Sequence, residues 1–285
     1  MWLLDLAREY PYEKAIPMPE RVAPRRGSYG IDAPYALVLL GGVIVFEIVL
    51  GLLTGHVAPF LAVPFIAAIA ASYLYTTWRG KFVVWAGLLD QLNLRGDERV
   101  LDLGCGRGAV LLMAAQRLTT GRAVGVDLWR SVDQSGNAAE ATRRNAVAEG
   151  VADRVELHTA DMTALPFADE SFDVVVSSLA IHNISGAAGR EKALREAVRV
   201  LRPGGRLVIA DVFWASLQYP AQLAGLGIIG AVRRWLGWRF WGAVLVTATK
   251  PEIPATGSVS GSAELGQAEP SPAADPARGS ASGSS

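Results

Sequence analysis

The stretch RVLDLGCGRGAVLLMAA, from Arg99 to Ala115, narrows the possible folds more than any other part of the chain. A short apolar run with strand character stops at Gly104, Gly106 and Gly108, and an alanine-rich helical pattern follows at once. Glycines so placed let backbone approach a ligand that a Cβ would hold off. A strand, a tight turn and a helix in that order form the first half of a parallel βαβ unit.

The chain downstream repeats that alternation. RAVGVD is a second strand ending in Asp127. SGNAAEATRRNAVAEG is a polar-faced helix with Gly150 as its C-cap. RVELHTAD and FDVVVSS are further strands, the second apolar throughout as in a strand covered on both faces. GREKALREAVRVL is an amphipathic helix stopped by PGG, and RLVIAD is a fifth strand. The segment from Gly225 to Lys250 reads as a terminal antiparallel pair. Upstream, FVVWAGLLDQLNL has helical spacing. The alternation predicts a parallel sheet with helices on both sides.

Ahead of this unit lie two runs of a different kind. Ala33 to Leu53 and Val57 to Trp78 are almost wholly apolar, with only Thr-Gly-His between them. Each of about 21 residues would form a helix of roughly 31 Å, the thickness of a bilayer core. Together they read as a transmembrane hairpin rather than two buried core helices, since neither has a polar face. Arg21, Arg25 and Arg26 precede the hairpin, Arg79 and Lys81 follow it, and the turn holds no cation. Both ends are therefore expected on the cytoplasmic side. Glu47 within the first run is costly there; it either pairs with a partner helix or is protonated. Trp2, Leu3, Leu4 and Leu6 suit either the membrane surface or ordinary packing. The expected organisation is residues 1–32 as a cytoplasmic segment, 33–78 as the hairpin, 79–250 as the soluble domain and 251–285 as a disordered tail rich in Gly, Ser, Pro and Ala.

Composition excludes several classes. Lys+Arg and Asp+Glu both number 27, so no global basic field exists to hold a nucleic acid. The single cysteine, Cys105, rules out an intramolecular disulfide and a cysteine zinc site, and fits a reducing compartment. No H-E-x-x-H, metal-ligand cluster or G-x-S-x-G appears. Arginine and alanine richness suits a GC-rich bacterial genome, and hence a bacterial cell membrane.

In an open parallel sheet, ligands bind beyond the C-terminal strand ends, so the glycine loop, Asp127 and Asp161 converge on one crevice. Gly104-x-Gly106-x-x-Ala109, with Asp127 about 20 residues on, also satisfies a dinucleotide fingerprint. Three further features weigh against that reading: Asp102 inside LDLGCGRG, Asp161 and Met162 in TADMTALPF, and FDVVVSS followed by LRPGGRLVIAD. This set resembles the class I S-adenosylmethionine-dependent methyltransferases, in wording nearest the ubiquinone/menaquinone-biosynthesis and small-molecule group. The resemblance runs from Arg99 to Asp211 and weakens toward Lys250. It implies a doubly wound, mostly parallel, seven-stranded Rossmann-like α/β sheet, here preceded by two transmembrane helices.

It also implies roles. Asp127 would accept from both ribose hydroxyls, Asp161 from the adenine amino group beside Met162, and Asp102 would face the methionine ammonium; each could instead be a solvated strand-end acid or a cap. Leu128 and Trp129 would pack on adenine, Trp129 equally well in the core. Cys105 is a small filler in the glycine loop. His182, past the fourth strand in SSLAIHNI, is a candidate general base or a loop organiser, with Ser177, Ser178 and Asn183 as polar liners. The inserted LWRSVDQSGN after the second strand would form part of the rim. The expected acceptor is small and apolar, a lipid, quinone or metabolite delivered by the membrane. An NAD-dependent oxidoreductase, or a membrane module that only senses S-adenosylmethionine, are the alternatives.

Overall fold

The computed structural model describes residues 24–240 and 242–252. The surface-lying segment at Trp2–Leu6 and the tail beyond Glu252 lie outside the described residues.

Two apolar helices come first, α1 (Tyr35–Thr54) and α2 (Ala58–Tyr75). They are paired, yet their side chains do not form the core: Val38 is 74% exposed and Phe65 70%. Both are long and apolar enough to cross a membrane. The second does not stop at Trp78. It passes through a π-helical turn at Thr76–Gly80 into α3 (Lys81–Gln91), a continuous helix from Ala58 to Gln91. A Cβ on Gly80 would collide with the carbonyl oxygen of Arg239, so glycine lets another backbone segment cross the foot of this helix.

The rest is a seven-stranded sheet with order β3-β2-β1-β4-β5-β7-β6. Its strands are β1 (Arg99–Leu103), β2 (Arg122–Asp127), β3 (Val155–Thr159), β4 (Phe172–Ser178), β5 (Leu201–Val212), β6 (Val232–Trp235) and β7 (Ala243–Thr249). The first five run parallel; β7 is antiparallel to β5, and β6 to β7. Four helices, α4 (Ala109–Ala115), α5 (Ala139–Glu149), α6 (Ala187–Val200) and α8 (Tyr219–Gly225), flank the sheet, and a single turn, α7 (Phe213–Ser216), follows β5.

Alternation along the strands builds two cores. Val100, Val174 and Val176 face α3 and α4 with Trp85, Leu89 and Leu111. Leu101, Leu103 and Val175 face α6 and α8 with Leu194, Ala197 and Tyr219. Because β1 lies between β2 and β4, the chain reverses direction across the sheet there, and a crevice opens past its end.

Two further local readings change. Pro203-Gly204-Gly205 does not precede the fifth strand but lies within it: Phe172 pairs with Leu201 and Val174 with Arg206, so the extra residues are absorbed as a bulge. The helix expected from Ser135 begins only at Ala139, since the preceding residues are engaged in loop contacts. The helices α7 and α8 between β5 and β6 carry no strong periodic signal.

Trp85 is fully buried, and its indole N–H donates to Ser178 Oγ at 2.8 Å. It docks α3, and with it the foot of α2, on the sheet. Trp85→Ala should destabilise the domain by about 3–5 kcal/mol, the cost of truncating a buried aromatic. Chemical denaturation of the detergent-solubilised protein measures this, and a loss below about 1 kcal/mol would mean that α3 is not part of the core.

Candidate functional site

Four loops meet beyond the C-terminal ends of β1, β2, β3 and β4 and enclose a cleft of about 250 Å³. The glycine loop forms its floor. Gly104 has φ +71°, and a Cβ there would run into the Cβ of Ala180. Only glycine lets the loop after β1 lie against the loop after β4. The N–H groups of Gly104 and Cys105 both donate to the Val126 carbonyl, which ties the turn to β2.

The next two N–H groups are taken by side chains. Gly106 donates to Asp127 Oδ2 at 2.8 Å and Arg107 to Gln134 Oε1 at 2.8 Å. A pyrophosphate would need such groups free and no anion beside them. Here the loop is already closed on a carboxylate and an amide, and Asp102 stands behind it.

Asp102 is 1% exposed, and its Oδ1 has no hydrogen-bond partner in the protein. Burial pushes its carboxyl up to about 7; the Leu111 N–H opposes the shift and the Asp127 charge adds to it. A buried acid with an unpartnered oxygen facing a cleft fits a cationic ligand group. Asp127 Oδ1 accepts from the Trp129 N–H at 2.5 Å and from Asn137 Nδ2 at 3.3 Å. The carboxylate is thereby fixed in orientation while keeping acceptor capacity toward the cleft. Asp161 Oδ1 accepts from the Thr163 N–H, closing a turn that presents the acid and Met162 at the opposite wall.

Asp102, Gly104, Cys105, Gly106, Asp127, Leu128, Asp161 and Met162 all line the cleft, as do Ser178 and Asn183. Four residues named from the sequence, Gly108, Trp129, Ser177 and His182, do not. Gly108, with φ +87°, caps α4 and faces Leu112 and Thr142. Ser177 is 1% exposed and donates to the Leu103 carbonyl inside the sheet; alternation along β4 turns it inward. His182 stands just outside the cleft, with its Nδ1 2.6 Å from Asp211 Oδ1. Cys105 is buried against Gly125, and burial pushes its thiol up, as for an inert filler. Trp129 packs partly on the core and donates from Nε1 to Thr159 Oγ1.

Sequence reading missed two groups. Asp211, fully buried at the end of β5, accepts from the His182 and Val212 N–H groups and from the Tyr219 hydroxyl at 2.8 Å. Burial and the Asp211 charge keep that phenol protonated. The acid ending RLVIAD was the available signal. The second group is Lys81, which lines the cleft paired to both oxygens of Asp32 at 2.7 and 2.9 Å. Asp32 also accepts from Gln134 Nε2, and the strap at residues 27–33 runs along the inserted loop, exchanging bonds between Ile31 and Ser135. Arg130, Asp133, Gln134 and Asn137 of that loop line the cleft. Among the described residues no cluster of His, Cys, Asp or Glu could hold a metal ion.

Comparison with known proteins shows what part of this chain is similar to. Residues 101–209 match the methyltransferase domain family. The chain is 37% identical over 135 residues to the ubiquinone/menaquinone biosynthesis C-methyltransferase UbiE of Roseobacter denitrificans, covering 47% of this chain and 50% of that one. It is 38% identical over 152 residues to the 27-O-demethylrifamycin SV methyltransferase of Amycolatopsis mediterranei, covering 51% and 52%. The chain thus spans about half the length of these curated relatives. A solved structure of a candidate O-methyltransferase from Nostoc punctiforme shares the fold, with TM-score 0.50, 17% identity and coverage of 64% and 60%. The cleft suits the donor of such enzymes, a sulfonium amino acid joined to adenosine: an unpartnered acid for an ammonium, an oriented acid for a diol, and no free cradle for phosphates. Residues 101–209 thus match a methyltransferase domain, on a sheet whose fold the Nostoc punctiforme structure shares.

Proposed function

We propose that this protein is a membrane-anchored S-adenosylmethionine-dependent methyltransferase acting on a small, apolar acceptor such as a lipid, a quinone or a hydrophobic metabolite. The observation that carries the reading is the unpartnered, buried Asp102 Oδ1 at the end of a cleft floored by Gly104 and Gly106. When bound, S-adenosylmethionine supplies a methyl group on a positively charged sulfur, an excellent leaving group. The chain's own work is then to align the partners and exclude water. Asp102 would hold the ammonium, Asp127 the ribose hydroxyls, and Asp161 with Met162 and Leu128 the adenine.

An acceptor that arrives protonated also needs a base. His182 Nδ1 is turned to Asp211, which leaves Nε2 as the atom that takes the proton. Asp211 holds the ring through its own four contacts, including the Tyr219 hydroxyl. Asp211 is in this sense a positioning residue. The relatives support a small-molecule acceptor, one being named for ubiquinone/menaquinone biosynthesis and the other for 27-O-demethylrifamycin SV.

Membrane residence rests on α1 and α2, with both ends on the cytoplasmic side. Lys81 no longer counts among the flanking charges, because it is 4% exposed and paired with Asp32. Arg25, Arg26 and Arg79 remain exposed and carry the same orientation. The foot of α2 adjoins the 238–240 turn, which joins β6 to β7 at the edge of the sheet where the cleft opens. Phe213, Trp214 and Trp235 stand exposed along that edge. An acceptor dissolved in the bilayer would meet His182 after a short path.

Three outcomes test this. Donor binding should strengthen by up to about tenfold per pH unit as pH rises from about 5.5 toward 7, then level off. The sign follows from Asp102: its acid is raised in the free protein, and a bound ammonium favours the ionised form, so binding below pH 7 must release a proton. Calorimetry at several pH values measures it; Asp102→Asn should bind weakly with no such slope, and a flat profile in the wild type removes Asp102 from the site. His182→Ala should lower turnover by about 10²–10⁴-fold while leaving donor affinity within about twofold. Asp211→Asn should lower turnover through the same ring, and full turnover in both variants would leave His182 a loop organiser. Finally, the full-length protein should stay with membranes through carbonate washing and leave only with detergent; recovery in the wash would refute the membrane topology.

A further inference from the structure

A second cavity, of about 640 Å³, lies between the strap and the foot of α2. Arg25 enters it from just ahead of the strap and Arg79 from the turn after α2. Among the described residues no Asp or Glu lines it, and neither arginine makes an ion pair. Glu149, the acid that faces Arg25, is already engaged: its Oε1 accepts from the N–H groups of Arg26 and Gly27 and from the Tyr29 hydroxyl, and its Oε2 from Gln116.

The Arg25 side chain is exposed, yet its guanidinium is seated on an aromatic ring. Its carbon sits 3.8 Å above the ring centre of Phe82, which is 1% exposed and held edge-on by Tyr29. Burial penalises this cation; Tyr29 and Glu149 oppose the penalty, and the like charge of Arg79 adds to it. Two arginines on one concavity whose lining holds no carboxylate, with Glu149 the one acid beside Arg25 and already taken up by four donors, suit an anion with several oxygens. Arginine forks match phosphate oxygens in pairs.

Position supplies the rest. The cavity residues Thr77, Trp78 and Arg79 follow α2 directly, and Trp78 is 52% exposed at the rim. If α1 and α2 span the bilayer as proposed above, these residues stand at headgroup depth, where Trp and Arg gather. We infer that this cavity is a binding site for a phosphate-bearing anion, supplied either by the headgroup of an anionic phospholipid or by phosphate in solution. The lipid source rests on the membrane reading; the anion site itself does not.

The test uses the full-length protein in non-ionic detergent, examined by native mass spectrometry with added phosphatidylglycerol, phosphatidylcholine or inorganic phosphate. The wild type should retain phosphatidylglycerol over phosphatidylcholine, and Arg25→Gln with Arg79→Gln should lose that preference by about tenfold or more. Arg95→Gln, an exposed arginine remote from the cavity, should keep it. S-adenosylmethionine binding by the double variant shows that it is folded. Retention of inorganic phosphate without lipid preference, lost in the same variant, supports the site and assigns the source to solution. A double variant that keeps the preference, or a wild type that retains neither lipid nor phosphate, overturns the inference. Carbonate release of the protein refutes the membrane reading alone, and the phosphate arm then decides on the cavity.

Discussion

Lys81 brings an ammonium group into the interior, and the wall of the cleft follows from how that charge is met. A buried cation is costly unless a carboxylate and further hydrogen bonds compensate it. Asp32 supplies both oxygens, and Gln134 donates to one of them at 2.8 Å. The same Gln134 accepts from the Arg107 N–H with its other end. A chain of contacts thus runs from the foot of the second apolar helix, through the strap and the inserted loop, to the glycine turn. Losing Asp32 would leave the buried Lys81 ammonium without its carboxylate, at a cost of up to about 3–5 kcal/mol. The strap therefore has one position, and the loop at 128–137 is held over the cleft by it.

This explains why the inserted loop is ordered although it is long and has no regular structure of its own. Ala33 donates to the Asp133 carbonyl, Ser135 and Ile31 exchange bonds, and Arg107 reaches both Ser28 and the Ser135 carbonyl. Asn145 closes the far side, accepting from the Ser28 N–H and donating to the Ser28 and Arg107 carbonyls. Residues just ahead of the first apolar helix thus complete the domain that follows the second. A division of the chain at residue 78 would miss that dependence.

What was legible in the sequence was what local rules determine. Apolar alternation, the glycine turn and acids at strand ends are set by neighbours in sequence, so β1 to β4 and the grouping of Asp102, Asp127 and Asp161 could be read directly. Ser177 and Ser178 show the limit: adjacent residues on one strand point to opposite sides, and only the register with β1 decides which meets the cleft. Lys81 read as a surface charge because burial and pairing with Asp32, 49 residues away, are tertiary facts. Asp211 looked like any strand-end acid until α8 brought the Tyr219 hydroxyl against it. Both misses have one cause, a polar side chain whose partner comes from a distant element.

The sheet's polarity ties these parts together. Five parallel strands end on one edge, and the antiparallel pair β7–β6 returns the chain to that edge, since Ala243 pairs with Val212 and Trp235 with Val244. The turn that follows β6 crosses the foot of α2 at Gly80, and the strap that precedes α1 crosses the loop after β2. The apolar helices are thus fastened at two points to the edge where the cleft opens. Had they been joined to the opposite edge, a donor at the strand ends and an acceptor in a bilayer would lie a sheet's length apart. On the proposed topology, one geometric fact, the C-terminal edge turned toward the helices, places Asp102 at the inner end of the site and His182 at its mouth.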